Sequence, residues 1–288
     1  MQTFCGMIRS VYQDDRIFEL LYKKRIMYFH LTRSQMKKFQ PYLQDGLYVF
    51  FKAFDETKKI GRFNCYDVIN FIKLVRHVGR KTICYYDVQT IKEGVRKVLN
   101  KDGYRLFIDL EFTMPPYNYS HNSDQVFYSE IVQYGMYLED PDGIIIDSAE
   151  GLVKPICELG ISDRMFEFLH ISKEKLKKAP PYSAFYNVLK DFVMYYQPTI
   201  YVWGKNDYLM IDKSYKLHQV KPITERKHFV NLMQIIKNYY SLKNDIGLFA
   251  AFDLLGYKPP LEIQDHNALH DAQATVEIFH LFEKEIKE

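Results

Sequence analysis

Hydrophobic positions change their period once along this chain. Over the first hundred residues they mark short strands at 3–12, 16–22, 25–31, 47–54 and 62–75. Between the third and fourth strands, Met36 and Phe39, three apart, predict a helix over 33–42. Asp14-Asp15, Lys23-Lys24 and above all Asp45-Gly46 fall where tight turns are needed. Ile91, Val95 and Leu99 then share a helical face, predicting a helix over 89–100 that Asp102-Gly103 closes. From Tyr104 strands alternate with helices. Strands are expected at 105–111, 125–138, 143–153 and 199–203, and helices at 160–170, 181–196, from 207, and at 231–240, 246–255 and 270–287. Antiparallel-looking strands followed by strand–helix alternation indicate an α/β domain with a mixed sheet. Two domains are therefore expected, 1–103 and 104–288.

Five strands with a helix after the third is the element order of an oligonucleotide-binding (OB) barrel, so the β-rich first domain resembles an OB-like barrel in order, without a supporting motif. Alternation in 25–31 sets Ile26, Tyr28 and His30 on one face and Met27, Phe29 and Leu31 on the other. One face must fill the barrel. The other offers Tyr28 and His30 as candidate stacking groups for bases.

Composition narrows the class. With 47% hydrophobic and 26% charged residues the chain is globular rather than disordered. Its 21 Phe and 24 Tyr mostly pack, but an aromatic excess also suits base stacking. The net charge of +3 hides an asymmetry: 1–103 carries 20 basic and 10 acidic side chains, whereas 104–288 carries 19 and 26. A basic unit joined to an acidic one suggests that one attracts a polyanion while the other concentrates carboxylates. Cys5, Cys65, Cys84 and Cys157 are scattered, which excludes a C-x-x-C zinc site and a secreted disulfide framework. The N-terminus lacks a signal-peptide pattern, and no stretch is long enough to span a membrane. A cytoplasmic protein with no membrane partner is expected.

The segment Leu106-Phe107-Ile108-Asp109-Leu110-Glu111 ends an apolar strand with two acids on one face. Carboxylates so placed repel one another unless a cation lies between them, and hard Mg²⁺ or Mn²⁺ prefers oxygen ligands. A second acid, Asp207, follows the apolar strand at 199–203. It could simply cap the next helix, yet the carboxyl end of a strand in an α/β sheet is also where ligands bind. Finally, His266-Asn267-Ala268-Leu269-His270-Asp271 opens the last helix. Asn267 stands where a zinc protease helix would need its glutamate, which excludes that reading.

In this order, Asp109-x-Glu111, Asp207, then His266 with Asp271, the chain resembles the DEDDh 3′–5′ exonucleases of the RNase H-like fold. The likeness covers about 104–284. It includes Phe-Ile-Asp-Leu-Glu-Phe-Thr at 107–113, Glu-Ile-Val-Gln-Tyr-Gly at 130–135 and Val-Lys-Pro at 153–155. It extends to Ala-Pro-Pro-Tyr-Ser-Ala-Phe at 179–185, Trp-Gly-Lys-Asn-Asp at 203–207, and Gly-Leu-Phe-Ala at 247–250 with Leu255-Gly256. Its style is closest to the KapD-like exoribonuclease branch.

This resemblance implies a mixed five-stranded sheet flanked by helices. It implies two divalent cations, Mg²⁺ or Mn²⁺, roughly 4 Å apart on Asp109, Glu111, Asp207 and Asp271. His266 would take the proton of the attacking water, a task suited to imidazole near neutral pH. The expected reaction releases nucleoside 5′-monophosphates from the 3′ end of single-stranded nucleic acid, RNA favoured over DNA, and a homodimer is open. Phe112, Thr113 and Met114 would contact the terminal nucleotide, and Lys205 lies where it could reach phosphate. Two departures stand out: Gln264-Asp265 replaces a glycine common before the histidine, and 114–124 inserts polar and aromatic residues after the first motif.

Overall fold

The computed structural model describes residues 1–120, 126–259 and 264–287. It divides into two compact units, Met1–Val98 with Asn238–Lys243, and Leu99–Lys237 with Asn244–Glu288.

The first unit is a sheet of six strands. β1 (Gln2–Tyr12), β2 (Ile17–Tyr22) and β3 (Arg25–His30) form a meander; α1 (Arg33–Phe39) follows, then β4 (Tyr48–Ile60), β5 (Phe63–Val78) and β6 (Lys81–Asp87), and α2 (Val88–Leu99). The strand order is β3-β2-β1-β4-β5-β6, antiparallel throughout, with a further parallel pairing of β3 to β5. The sixth strand was not expected. Its residues are exposed or half-buried along their whole length, so no apolar alternation marks it. Thr32 and Gln35 cap α1 reciprocally, a contribution of about 1 kcal/mol. Gln35 also donates to the Val68 and Ile69 carbonyls, which fastens the helix to β5. The interior is largely phenylalanine: Phe4, Phe18, Phe29, Phe51 and Phe71 are buried, with ring centroids 4.7–6.1 Å apart. That part of the aromatic excess is packing.

The second unit is built on a mixed five-stranded sheet, as the resemblance implies. β7 (Arg105–Phe112), β8 (Ile131–Glu139) and β9 (Ile145–Leu152) are antiparallel neighbours; β10 (Thr199–Val202) and β11 (Phe229–Asn231) add on in parallel, giving β11-β10-β7-β8-β9. The helices are α3 (Asp163–Leu169), α4 (Lys173–Lys177), α5 (Tyr182–Tyr196), α6 (Asn206–Leu217), α7 (Leu232–Tyr240), α8 (Leu248–Leu254) and α9 (Ala268–Lys287). One sheet face, with Leu106, Ile108 and Leu110, packs against Phe185 and Leu189 of α5 and Ile211 of α6. On the other face Phe107 meets Tyr201 and, edge-on, Phe279 of α9.

Two expectations are corrected here. The strand expected at 125–138 begins at Ile131; the described residues 126–130 are not strand, and Thr113 and Glu130 are joined there by two hydrogen bonds of 2.9 Å. The helix expected from 231 is preceded by the three-residue β11, too short to show a period. Residue 125 and part of the 114–124 insertion lie outside the described residues. Among the described residues no helix is long and apolar enough to cross a membrane.

Candidate active site

The site begins with the alternation of β7. Asp109 and Glu111 share the face that carries Phe107, the face covered by α9, while Leu110 between them enters the core. On β8 their register partners are Gly135 and Gln133. A Cβ on Gly135 would stand 2.3 Å from the Leu269 backbone, so only glycine lets the first turn of α9 lie directly on the sheet. Gln133 Oε1 accepts the Ala268 N–H at 3.4 Å beside that contact. Asp271, one turn into α9 and 4% exposed, is thereby brought to Asp109 and Glu111.

Asp207 arrives from the opposite direction. β10 pairs with β7 only as far as Tyr201↔Phe107, after which the chain turns through Gly204 (φ 102°) into α6. Beyond that point the Leu110 N–H takes Asp207 Oδ1 as its acceptor at 3.2 Å. The acid at the helix start therefore fills a gap in the sheet's hydrogen bonding and joins the carboxylates.

The loop ahead of α9 is tied inward. Asn267 caps the helix, accepting the Leu269 N–H at 3.0 Å and the His270 N–H at 3.3 Å. The Gln264-Asp265 departure has a structural use: Gln264 Nε2 donates to Asp271 Oδ2 at 2.6 Å, and Asp265 pairs with His270 Nδ1 at 2.7 Å. His270 is thus a strut. His266 has a left-handed backbone (φ 51°), and its Nδ1 lies 3.9 Å from Glu111 Oε1. Phe168 of α3 stacks on its imidazole, with centroids 4.2 Å apart and planes inclined by 29°.

Electrostatically this is a site waiting for positive charge. Burial, then the charges of Asp207, Asp271 and Glu111, push the Asp109 carboxyl well above its ordinary range. Burial and the charges of Asp271, Asp207 and Asp265 raise Glu111 to about 8. Burial takes Asp207 up to about 7, against the pull of its hydrogen bonds. Asp271 is also raised by burial, opposed by Gln264 and His266. Oxygen donors in enforced proximity are what a hard divalent cation requires, and one oxygen of Glu111, one of Asp271 and an imidazole nitrogen of His266 all lie within 4.8 Å of one another. The residues fit a divalent cation.

The other sequence candidates are placed differently. Phe112 is half-buried against the core. Thr113 is 2% exposed, its hydroxyl accepting the Glu130 N–H. Met114 is half-buried against Met165 and Leu176, bridged to Ile161. Lys205 is exposed. Tyr28 and His30 belong to the first unit. There Tyr28 meets Phe63 at 4.8 Å, and His30 Nδ1 is held by Asp67 at 2.7 Å, so neither ring is loose. Sequence reasoning missed Phe168, Gln264 and Gly135. Gly135 carried a usable signal, a glycine inside an apolar strand, which marks close approach of another backbone. Phe168 carried none, since its partner is distant in sequence, and Gln264 stood out as a departure whose role is set by the loop's path.

The family model described as Exonuclease matches residues 106–279. No curated protein sequence matches. Among solved structures, the chain is similar to a 3′-exonuclease described in recognition of the histone mRNA stem-loop, at 16% identity and TM-score 0.53, over 64% of each chain. It is similar to the nuclease domain of 3′hExo, a DEDDh family member bound to rAMP, at 17% identity and TM-score 0.53, over 64% of this chain and 93% of that one. It also resembles cell-death related nuclease 4, at 15% identity and TM-score 0.50, over 65% and 64%. At these identities the structures establish a shared fold, and the first of them is spanned over only about two thirds of its length. The family match, over more than half the chain and across all five motif residues in DEDDh order, is decisive: this chain belongs to the exonuclease family.

Proposed function

We propose that the protein is a metal-dependent 3′–5′ exonuclease that removes nucleoside 5′-monophosphates from single-stranded nucleic acid, with RNA favoured. The observation that carries this reading is the convergence of four carboxylates with raised protonation and one imidazole at the end of β7. In this reading Asp109, Glu111, Asp207 and Asp271 hold two divalent cations, Mg²⁺ or Mn²⁺. Bound cations supply neutralisation of the carboxylates and Lewis-acid polarisation of the scissile phosphate. His266 accepts the proton of the attacking water, with Phe168 restraining the ring. The Leu110 N–H and Gln264 fix the orientations of Asp207 and Asp271.

The RNA preference follows the resemblance to exoribonucleases and the histone mRNA stem-loop and the ribonucleotide rAMP named for two of the similar structures. Digestion of matched RNA and DNA strands side by side tests it; faster loss of the DNA strand would assign the same chemistry to deoxyribose ends. The basic first domain, 1–103, holds the upstream strand. Its strands pair in the cycle β1-β2-β3-β5-β4-β1, the pairing an OB-like barrel requires. Four unpaired cysteines suit the reducing cytoplasm.

A further inference from the structure

The geometry points to a second nucleotide site on the exonuclease domain, separate from the acids, that takes an upstream nucleotide of the substrate strand: base in an apolar cavity, phosphate on lysines. This rests on the reading of the protein as a nuclease of single strands and extends it to where the strand runs.

The cavity holds about 190 Å³, and Pro155, Ile161, Phe166 and Leu176 form its apolar lining. Lys154, Lys173 and Lys177 stand around it. Lys173 is committed, paired with Asp163 at 2.6 Å and lying 5.3 Å over the Phe166 ring. Among the described residues, neither Lys154 nor Lys177 has an acidic partner. Residues 104–288 carry 26 acidic against 19 basic side chains, so lysines gathered at an apolar hollow are a local reversal of the domain's charge. An apolar, aromatic lining beside lysines combines the two chemistries that single-stranded nucleic acid binds by.

Its position joins it to the reaction. Glu111, Gln133 and Leu152 are register partners across β7, β8 and β9, and Lys154 lies two residues past Leu152. Lys154, on the lining of the cavity, therefore lies toward the same end of the sheet as the acids, displaced sideways by two strand spacings, about 10 Å. A strand whose 3′ end enters the acids can reach it with the nucleotides that precede the terminal one.

The site is also built rather than incidental. The buried Glu130 carboxylate accepts the Ile156 N–H at 3.0 Å and the Cys157 N–H at 2.6 Å, while the Lys154 N–H donates to the Pro180 carbonyl at 2.8 Å. Ser162 Oγ donates to the Met114 carbonyl at 2.7 Å, and Ile161 bridges to Met114, three residues past Glu111. The side that carries Ile161 is thus pinned to Met114 in the segment leaving β7, and the side that carries Lys154 to Glu130 and Pro180.

The test uses the full chain with eight-nucleotide and two-nucleotide single-stranded RNA, the longer one carrying a hydrolysis-resistant phosphorothioate at its 3′ linkage for binding by fluorescence anisotropy. A Lys154→Gln/Lys177→Gln double variant should bind the eight-mer about tenfold more weakly, with a salt slope flatter by about 1.4 for two lost phosphate contacts. Its hydrolysis of the dinucleotide should match the wild type. With 2-aminopurine placed at successive positions, emission should rise at one internal position as that base leaves the stack of its neighbours, and Phe166→Leu should lessen that rise. Unchanged eight-mer affinity and salt slope in the double variant would overturn the site. Failure of the wild type to shorten any strand would instead overturn the exonuclease reading, while the binding measurement still decides the cavity.

Discussion

Gly135 and Leu269 are in backbone contact: a Cβ built on Gly135 falls 2.3 Å from both the Leu269 Cα and its N. That closeness sets the depth at which α9 begins, and so the distance from Asp271 to the acids of β7. Gly135→Ala must push the first turn of α9 outward. The variant should be destabilised by about 1–3 kcal/mol and lose about a hundredfold in nuclease rate, read by thermal melting and by mononucleotide release. Wild-type rate in the alanine variant would show that this contact does not set the site.

A second prediction concerns pH. In the folded chain Glu111 is raised from 4.5 to about 8 and Asp207 from 3.8 to about 7. Raised carboxyls bind protons more tightly folded than unfolded. The stability they contribute is therefore complete below about pH 4 and lost as pH climbs through 7 to 8. In EDTA at pH 8, Glu111→Gln should melt several degrees above wild type, and near pH 4 the two should coincide. Saturating Mg²⁺ should reverse the order at pH 8, since the wild type gains more from binding. Equal melting at pH 8 in EDTA would remove the claim that Glu111 carries this strain.

A third concerns Phe168. Its stack on His266 at 4.2 Å is an interaction of about 0.5–1.5 kcal/mol. Phe168→Ala should lower kcat about threefold to tenfold with little change in KM, and Phe168→Tyr should restore it. A raised KM at unchanged kcat would assign Phe168 to substrate contact instead.

How much of this was legible in the sequence depended on the range of the interaction involved. The five motif residues were readable because strand alternation and helix starts place acids by local rules, and their joint order resembled a family. The mixed sheet followed from the same periodicity. β6 was not readable, because Lys81–Asp87 buries no residue fully and leaves no alternating trace. Neither was the β3–β5 pairing, which joins Tyr28 to Cys65 through tertiary closure alone. The use of Gln264-Asp265 emerged only in three dimensions, where the two residues of this one departure proved to be the hydrogen-bond partners of Asp271 and His270. Phe168, fifty-seven positions from Glu111 by number, acquires its role only when α3 folds back beside the loop of His266.

The most direct test of the central claim is the fate of a 5′-labelled single-stranded RNA oligomer incubated with the protein and Mg²⁺ or Mn²⁺, beside an EDTA control and Asp109→Ala. The account predicts a ladder that shortens from the 3′ end with release of 5′-mononucleotides, abolished by EDTA and by the substitution. An intact RNA, followed by an intact matched DNA, would contradict it and leave a nucleic-acid-binding protein without the chemistry.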